Sequence, residues 1–219
     1  MPRRLVVAFL VALASATAAS AQNTNDNLPR FVIDAQGTFS GLPNTSGWVP
    51  AVPVNTPIPG HGFGAGVGAH VYVFKLGVVT FGVGGNAIVV RGNGGTFDTT
   101  KGEATTPSVT TQSTSLNPQV SMNFGHRLGW SYLSGGYSTA KIKSESTAFG
   151  TTVPAAAAPE LWNPGFNYGG GARWFMKTHL AASFDVRFVQ LASREPGPDH
   201  PVFALRTKMI NWMVGISIQ

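Results

Sequence analysis

Eight times along this chain, apolar residues fall on every second position. The last run is the cleanest. In MINWMVGISIQ, Met209 to Gln219, the residues Ile210, Trp212, Val214, Ile216 and Ile218 alternate with Asn211, Met213, Gly215 and Ser217. Successive side chains of a strand point to opposite faces, so such a run predicts a strand with one apolar face. The other runs begin at Phe31, Phe63, Val79, Gln119, Trp130, Phe166 and Leu180, and the one from Trp130 to about Ile142 is the weakest. Long segments (42–60, 92–115, 145–163, 192–201) follow the odd-numbered strands, and short turns (75–77, 125–129, 176–179) follow the even-numbered ones. No Pro falls inside a run; Pro118 and Pro164 sit at strand starts, where a missing N–H is tolerated. The pattern predicts an all-β fold, an eight-stranded antiparallel up-and-down transmembrane β-barrel, over residues 31–219.

The composition of the two faces decides what each one meets. The polar parity is Gly, Ser, Thr and Asn, with few Lys or Glu to keep a barrel in solution. Only 11% of the chain is charged and 43% is hydrophobic, against about 25% charged in a typical soluble domain. The other parity gathers aromatics towards strand ends: Phe39, Phe63, Phe81, Phe124, Trp130, Tyr132, Phe166, Tyr168, Trp174 and Phe188. That distribution is expected of interfacial girdles, so the apolar parity faces lipid. A transmembrane helix across VYVFKLGVVTFGVGGNAIVV is disfavoured by the central Lys75, the glycines and the β-branched residues.

Charge placement obeys the same parity. Asp34, Arg173, Asp185 and Arg187 fall on the inward side, and Lys141 is read with them as a polar plug, since charges inside a narrow barrel need partners. Arg91, Arg206 and Lys208 have outward parity but lie at the loop ends of their strands. There they are expected to contact lipid headgroups, where a snorkelling cation costs little.

Arg3-Arg4, the apolar run Leu5 to Ala14 and the ending Ala19-Ser20-Ala21 read as a secretory signal over 1–21, followed by a short polar segment at 22–30 that is expected to be disordered or periplasmic. The chain has no Cys, so neither a lipid-anchored cysteine nor a disulfide is available to it. Its formal charge of +6 becomes +4 when Arg3 and Arg4 are set aside. That charge is dispersed rather than gathered into the stripe of a nucleic-acid binder, and no nucleic-acid partner is expected.

Export signal, strand count, loop asymmetry and stretches such as GFNYGGGARWFMKTHLAASFDVRFVQL together resemble the small outer-membrane β-barrel superfamily, the OmpA-transmembrane-domain and OmpX type, from Phe31 to Gln219. The resemblance implies a bacterial outer-membrane location and contact with outer-membrane lipids and lipopolysaccharide. It also implies handling by the barrel-insertion machinery and a structural or surface-interaction role through long extracellular loops, whose ligand the sequence does not name. That family usually ends on Phe; here the last residue is Gln219, and Ile218 is the last outward one. A small pore for ions or hydrophobic solutes is the alternative, and a lipid-modifying barrel enzyme the second.

Little else in the sequence suggests chemistry. The glycines of GFGAGVGAH keep period two with no Lys-Ser/Thr and no helix after them. They are read as lumen-facing residues making room for Tyr72, Tyr137 and Arg173 rather than as a phosphate loop. His61, His70, His126, His179 and His200 show no metal-ligand spacing, and His126 and Ser131 are wrongly spaced for a deacylase pair. No catalytic residue, cofactor or metal is expected.

Overall fold

Each alternating run becomes a strand of one closed ladder, the arrangement that satisfies a backbone crossing lipid without a helix. The computed structural model describes residues 28–43, 57–95, 97–98, 103–104, 108–126, 128–148, 151–153, 162–177, 179–193, 195 and 206–219. The signal segment 1–21 lies outside them. Eight strands carry the fold: β1 (Phe31–Gly41), β2 (His61–Leu76), β3 (Val79–Gly94), β4 (Ser108–His126), β5 (Gly129–Ala148), β6 (Asn163–Lys177), β7 (Leu180–Leu191) and β8 (Thr207–Ile218). Each pairs antiparallel with the next. β8 returns to β1 in the register Ile33↔Ile218 to Ser40↔Asn211, which closes the sheet. Among the described residues there is no helix.

Outward positions form an apolar belt in which Phe63, Val67, Val120, Phe166, Trp174, Trp212, Val214 and Ile216 are all exposed. A surface of that kind suits hydrocarbon, not water. The interior is layered. Val32, Trp130 and Tyr132 fill the turn end, with Leu28, Tyr72 and Phe175 packed against them. Charged and amide side chains fill the middle. Towards the loop end come two apolar clusters, Leu42, Ile88 and Val90 reaching down to Met213, and Ala140, Val189, Leu191 and Met209, beside the buried Thr111 and Ser113 of β4.

The structure departs from the sequence reading in four places. β4 begins at Ser108 and β5 continues to Ala148, so β3, β4 and β5 stand as a taller wall on the loop side, joined by Gly94↔Val109 and Ser108↔Thr147. The Ser/Thr-rich ends of these strands lack an apolar period, yet they extend the ladder where it is wet. Pro118 is therefore inside a strand and not at its start. Trp130 and Tyr132 point into the lumen, not to lipid, while Tyr137 points out. Finally, the end of the 22–30 segment is structured: the Arg30 carbonyl accepts from the Tyr72 N–H (3.0 Å), and Leu28 packs into the turn-end mouth.

Candidate functional site

Seven of the eight strands send side chains into one buried polar layer. Arg173 of β6 donates from Nε to Asp34 Oδ1 (2.9 Å) and from Nη2 to Asp34 Oδ2 (2.6 Å), a bidentate pair across the lumen. Ser217 of β8 donates to the same Asp34 Oδ1 (2.5 Å). The Arg173 guanidinium also lies over the Tyr132 ring, 4.4 Å from its centroid. Tyr132 in turn donates its hydroxyl to Asp185 Oδ2 (2.6 Å), which also accepts from Arg187 Nη2 (3.0 Å). Arg187 further donates to Asn167 Oδ1 (2.8 Å), to Ser134 Oγ (3.2 Å) and to Gln119 Oε1. His70 links the two halves: its Nδ1 lies 3.6 Å from Asp34 Oδ2 and its Nε2 lies 2.6 Å from Gln119 Nε2. β3 contributes space rather than a donor. A Cβ at Gly84 would stand 2.6 Å from His70 Cδ2, and one at Gly171 of β6 would stand 2.7 Å from the Tyr132 hydroxyl.

The same network repairs the defect at Pro118. The β4–β5 pairing runs through Leu116↔Thr139 and resumes at Val120↔Gly135, and from Asn117 to Gln119 the ladder partners are on β3 alone. A proline has no N–H to give there. The Asn167 amide reaches over from β6 and donates to the carbonyls of Tyr137 (2.5 Å) and Pro118 (3.2 Å). Its own oxygen is held by Arg187. Thus the wall and the lumen charges share one side chain.

Ser217, Asp34 and His70 meet, but in an order that activates no nucleophile. Ser217 gives its hydrogen to Asp34, not to an imidazole. Among the described residues no group of three His, Cys, Asp or Glu is placed to hold a metal ion.

Neither a protein-family model nor a curated protein sequence matches this chain. Solved structures do. Ail, the attachment invasion locus protein of Yersinia pestis, superposes with a TM-score of 0.50 at 13% identity, over 86% of this chain and 96% of that one. Neisserial surface protein A gives 0.48 at 9% identity, over 88% and 99% of the two chains. Outer membrane protein OprG of Pseudomonas aeruginosa gives 0.48 at 12%, over 86% and 94%. This chain has the small outer-membrane β-barrel fold.

In this barrel Asp34, Arg173, Asp185 and Arg187 all point inward and are brought together. Lys141 is not with them. Inward residues of β5 are the even-numbered Trp130, Tyr132, Ser138 and Ala140, so Lys141 has outward parity, paired with Thr114 near the loop end. The same reversal that moves Trp130 and Tyr132 inside moves Lys141 out. Arg91 is exposed on β3, Lys208 is exposed on β8, and Arg206 precedes β8 by one residue. The register places Arg91, Gln112 and Lys143 side by side on β3, β4 and β5. The lysine thus joins an outward basic rim. Sequence reasoning did not assign Gln119, Tyr132 or Asn167 to the network. Gln119 shares the inward parity of β4 and was open to discovery; Tyr132 was hidden by the reversed parity of its strand.

Proposed function

We propose that this barrel resides in the bacterial outer membrane with its lumen closed to ions, and works through its loop end as a structural or surface-interacting protein. The observation that carries the reading is the set of buried polar contacts across the lumen: Asp34 of β1 to Arg173 of β6, Tyr132 of β5 to Asp185 of β7, and Arg187 of β7 to Gln119 of β4. Asp185 and Arg187 also pair two residues apart on β7, in an interior filled by side chains. A closed lumen leaves the loops and the tall β3–β5 wall as the parts that can meet a partner. On the outside, Arg91, Arg206 and Lys208, with Lys141 and Lys143, would hold phosphates of outer-leaflet lipid or lipopolysaccharide, at about 1 kcal/mol for each basic residue. The outward apolar face of β8, Trp212 to Ile218, is the segment offered to the insertion machinery. No enzymatic role is proposed. The test is single-channel conductance of the refolded protein with and without Asp185→Ala: a silent wild type and a conducting variant support closure, and a steadily conducting wild type sinks it.

A second reading has its own support. The loop-end interior holds two apolar clusters, Val189, Leu191 and Met209 in one and Leu42 and Val90 in the other, beside the hydroxyls of Thr111 and Ser113. Such a lining suits a hydrophobic solute, and uptake of an apolar dye into vesicles in the absence of ion conductance would favour that passage over the closed barrel.

A further inference from the structure

We infer that His70 is a proton-operated latch on the Arg187 half of the lumen network, an inference that rests on the closed lumen proposed above. Arginine orients everything beyond it. Arg187 has only donors and keeps its proton, so the Gln119 atom facing its Nη1 is the carbonyl oxygen. The Gln119 amide nitrogen therefore faces His70 Nε2 at 2.6 Å and donates to it. A ring nitrogen that accepts carries no hydrogen. His70 is thus neutral, with its hydrogen on Nδ1, the atom turned towards Asp34 Oδ2 at 3.6 Å.

A proton arriving at Nε2 sets N–H against NH2. Gln119 can relieve that conflict by turning its oxygen to His70, but its NH2 then faces Arg187 and the conflict moves there. One of the two Gln119 contacts is lost either way.

The surrounding charges act in the same direction. His70 faces Asp34 from β1, Gln119 from β4, Tyr132 from β5 (ring centroids 6.2 Å apart) and Arg173 from β6, whose Nη2 is 3.5 Å from Nδ1. Tyr72 lies two residues along its own strand, β3 presents Gly84, and Arg187 of β7 stands behind Gln119. β8 reaches this group through Ser217 on Asp34. Asp34 is already engaged by Arg173 and Ser217, and the two aspartates balance the two arginines. An imidazolium is one positive charge too many in a confined interior. Among the buried groups of this layer, histidine is the one whose charge ordinarily changes between about pH 5 and 8. Protonation therefore takes one contact from the closed network and adds an unmatched charge to it, and loosening relieves both. Linkage then makes acid favour the loosened form, by at most about tenfold per pH unit for one proton.

The experiment uses the full chain refolded into lipid, as wild type, His70→Gln and Gln119→Glu. Conductance and the thermal midpoint of the folded form are followed from about pH 8 to 5. Wild type is expected to be silent at the alkaline end, then to open and melt earlier as pH falls, with a single-proton slope. Glutamine at position 70 keeps an acceptor but takes no proton, and glutamate at 119 accepts from both Arg187 and a protonated His70. Both variants are expected to lose the acid response. Nitrogen-15 spectra of the histidine rings read the tautomer directly, with His70 Nε2 bare at alkaline pH. A hydrogen on Nε2 there, a wild type indifferent to acid, or an acid response retained in either variant overturns the latch. Steady wild-type conductance at alkaline pH overturns the closed lumen instead, while a melting shift lost in Gln119→Glu still supports the latch. If His70→Gln fails to fold, Gln119→Glu and the tautomer decide.

Discussion

Asp34 and Asp185 look equivalent in sequence and are not equivalent in the barrel. Asp34 accepts from Nε and Nη2 of Arg173 and from the Ser217 hydroxyl, and beyond Asp34 the hydrogen-bonding neighbour of Arg173 among the described residues is His70 at 3.5 Å. Arg187 keeps Gln119, Asn167 and Ser134 when Asp185 is taken away. Neutralising Asp34 therefore strands a buried cation, and Asp34→Asn is expected to cost about 3–5 kcal/mol, the range for breaking a buried pair. Asp185→Asn should cost about 1–3 kcal/mol, as for a buried group that loses one of several partners. Urea unfolding in lipid vesicles ranks the two, and the reverse order would mean that Arg187, not Arg173, depends on its carboxylate. Asn167→Ala belongs to the same scale. It removes the donor to the Tyr137 and Pro118 carbonyls and one acceptor of Arg187, so a loss of about 1–3 kcal/mol by the same measurement is expected.

At the scale of strands, parity is the whole argument, and β5 shows where it can be misread. Alternation placed the faces of β1, β2, β3, β6, β7 and β8 because one parity of each is plainly apolar. In β5 both parities carry aromatics, Trp130 and Tyr132 on one and Tyr137 on the other. A shift of parity exchanges every side chain of a strand between the two faces. Only the neighbours decide it, through Asn123↔Tyr132 and Tyr132↔Gly171. The cross-lumen pairing of Asp34 with Arg173 was equally out of reach, since β1 and β6 are not neighbours in the sheet. The apolar cluster inside the loop end was missed because Val189, Leu191 and Met209 sit on the parity that is polar elsewhere in β7 and β8. Spin labels test the corrected faces. A label at position 141 should meet lipid or headgroup and one at 142 should not. A label at Arg206 should report the interface while one at Val214, 63% exposed on the belt, reports hydrocarbon. Equal depths for Arg206 and Val214, or a label at 141 shielded in the lumen, would contradict this register.

The whole molecule depends on one seam. β1 and β8 lie at opposite ends of the described chain, yet their pairing, Ile33↔Ile218 to Ser40↔Asn211, removes the last two sheet edges. Contacts so distant in sequence are costly to form, and a barrel lacking them leaves backbone polar groups facing lipid. Opening should therefore be cooperative, with a compact band in detergent gels that changes mobility only on heating. Two glycines of the seam sharpen the expectation. A Cβ at Gly215 would stand 2.1 Å from the Ala35 carbonyl oxygen and 2.6 Å from Gln36 Cα, both backbone atoms of β1. At Gly37, on the outward side of the same seam, the nearest atom is the Val214 carbonyl oxygen at 3.8 Å. Gly215→Ala must push the closing strands apart, at a cost of about 1–3 kcal/mol for an overfilled contact. Gly37→Ala meets ordinary contact and should be neutral or stabilising by about 0.4–1 kcal/mol. The temperature at which the compact band converts should therefore fall for Gly215→Ala and hold or rise for Gly37→Ala. Equal conversion temperatures for the two would show that the β1–β8 seam does not limit opening, and identical migration of heated and unheated wild type would remove the closed barrel itself.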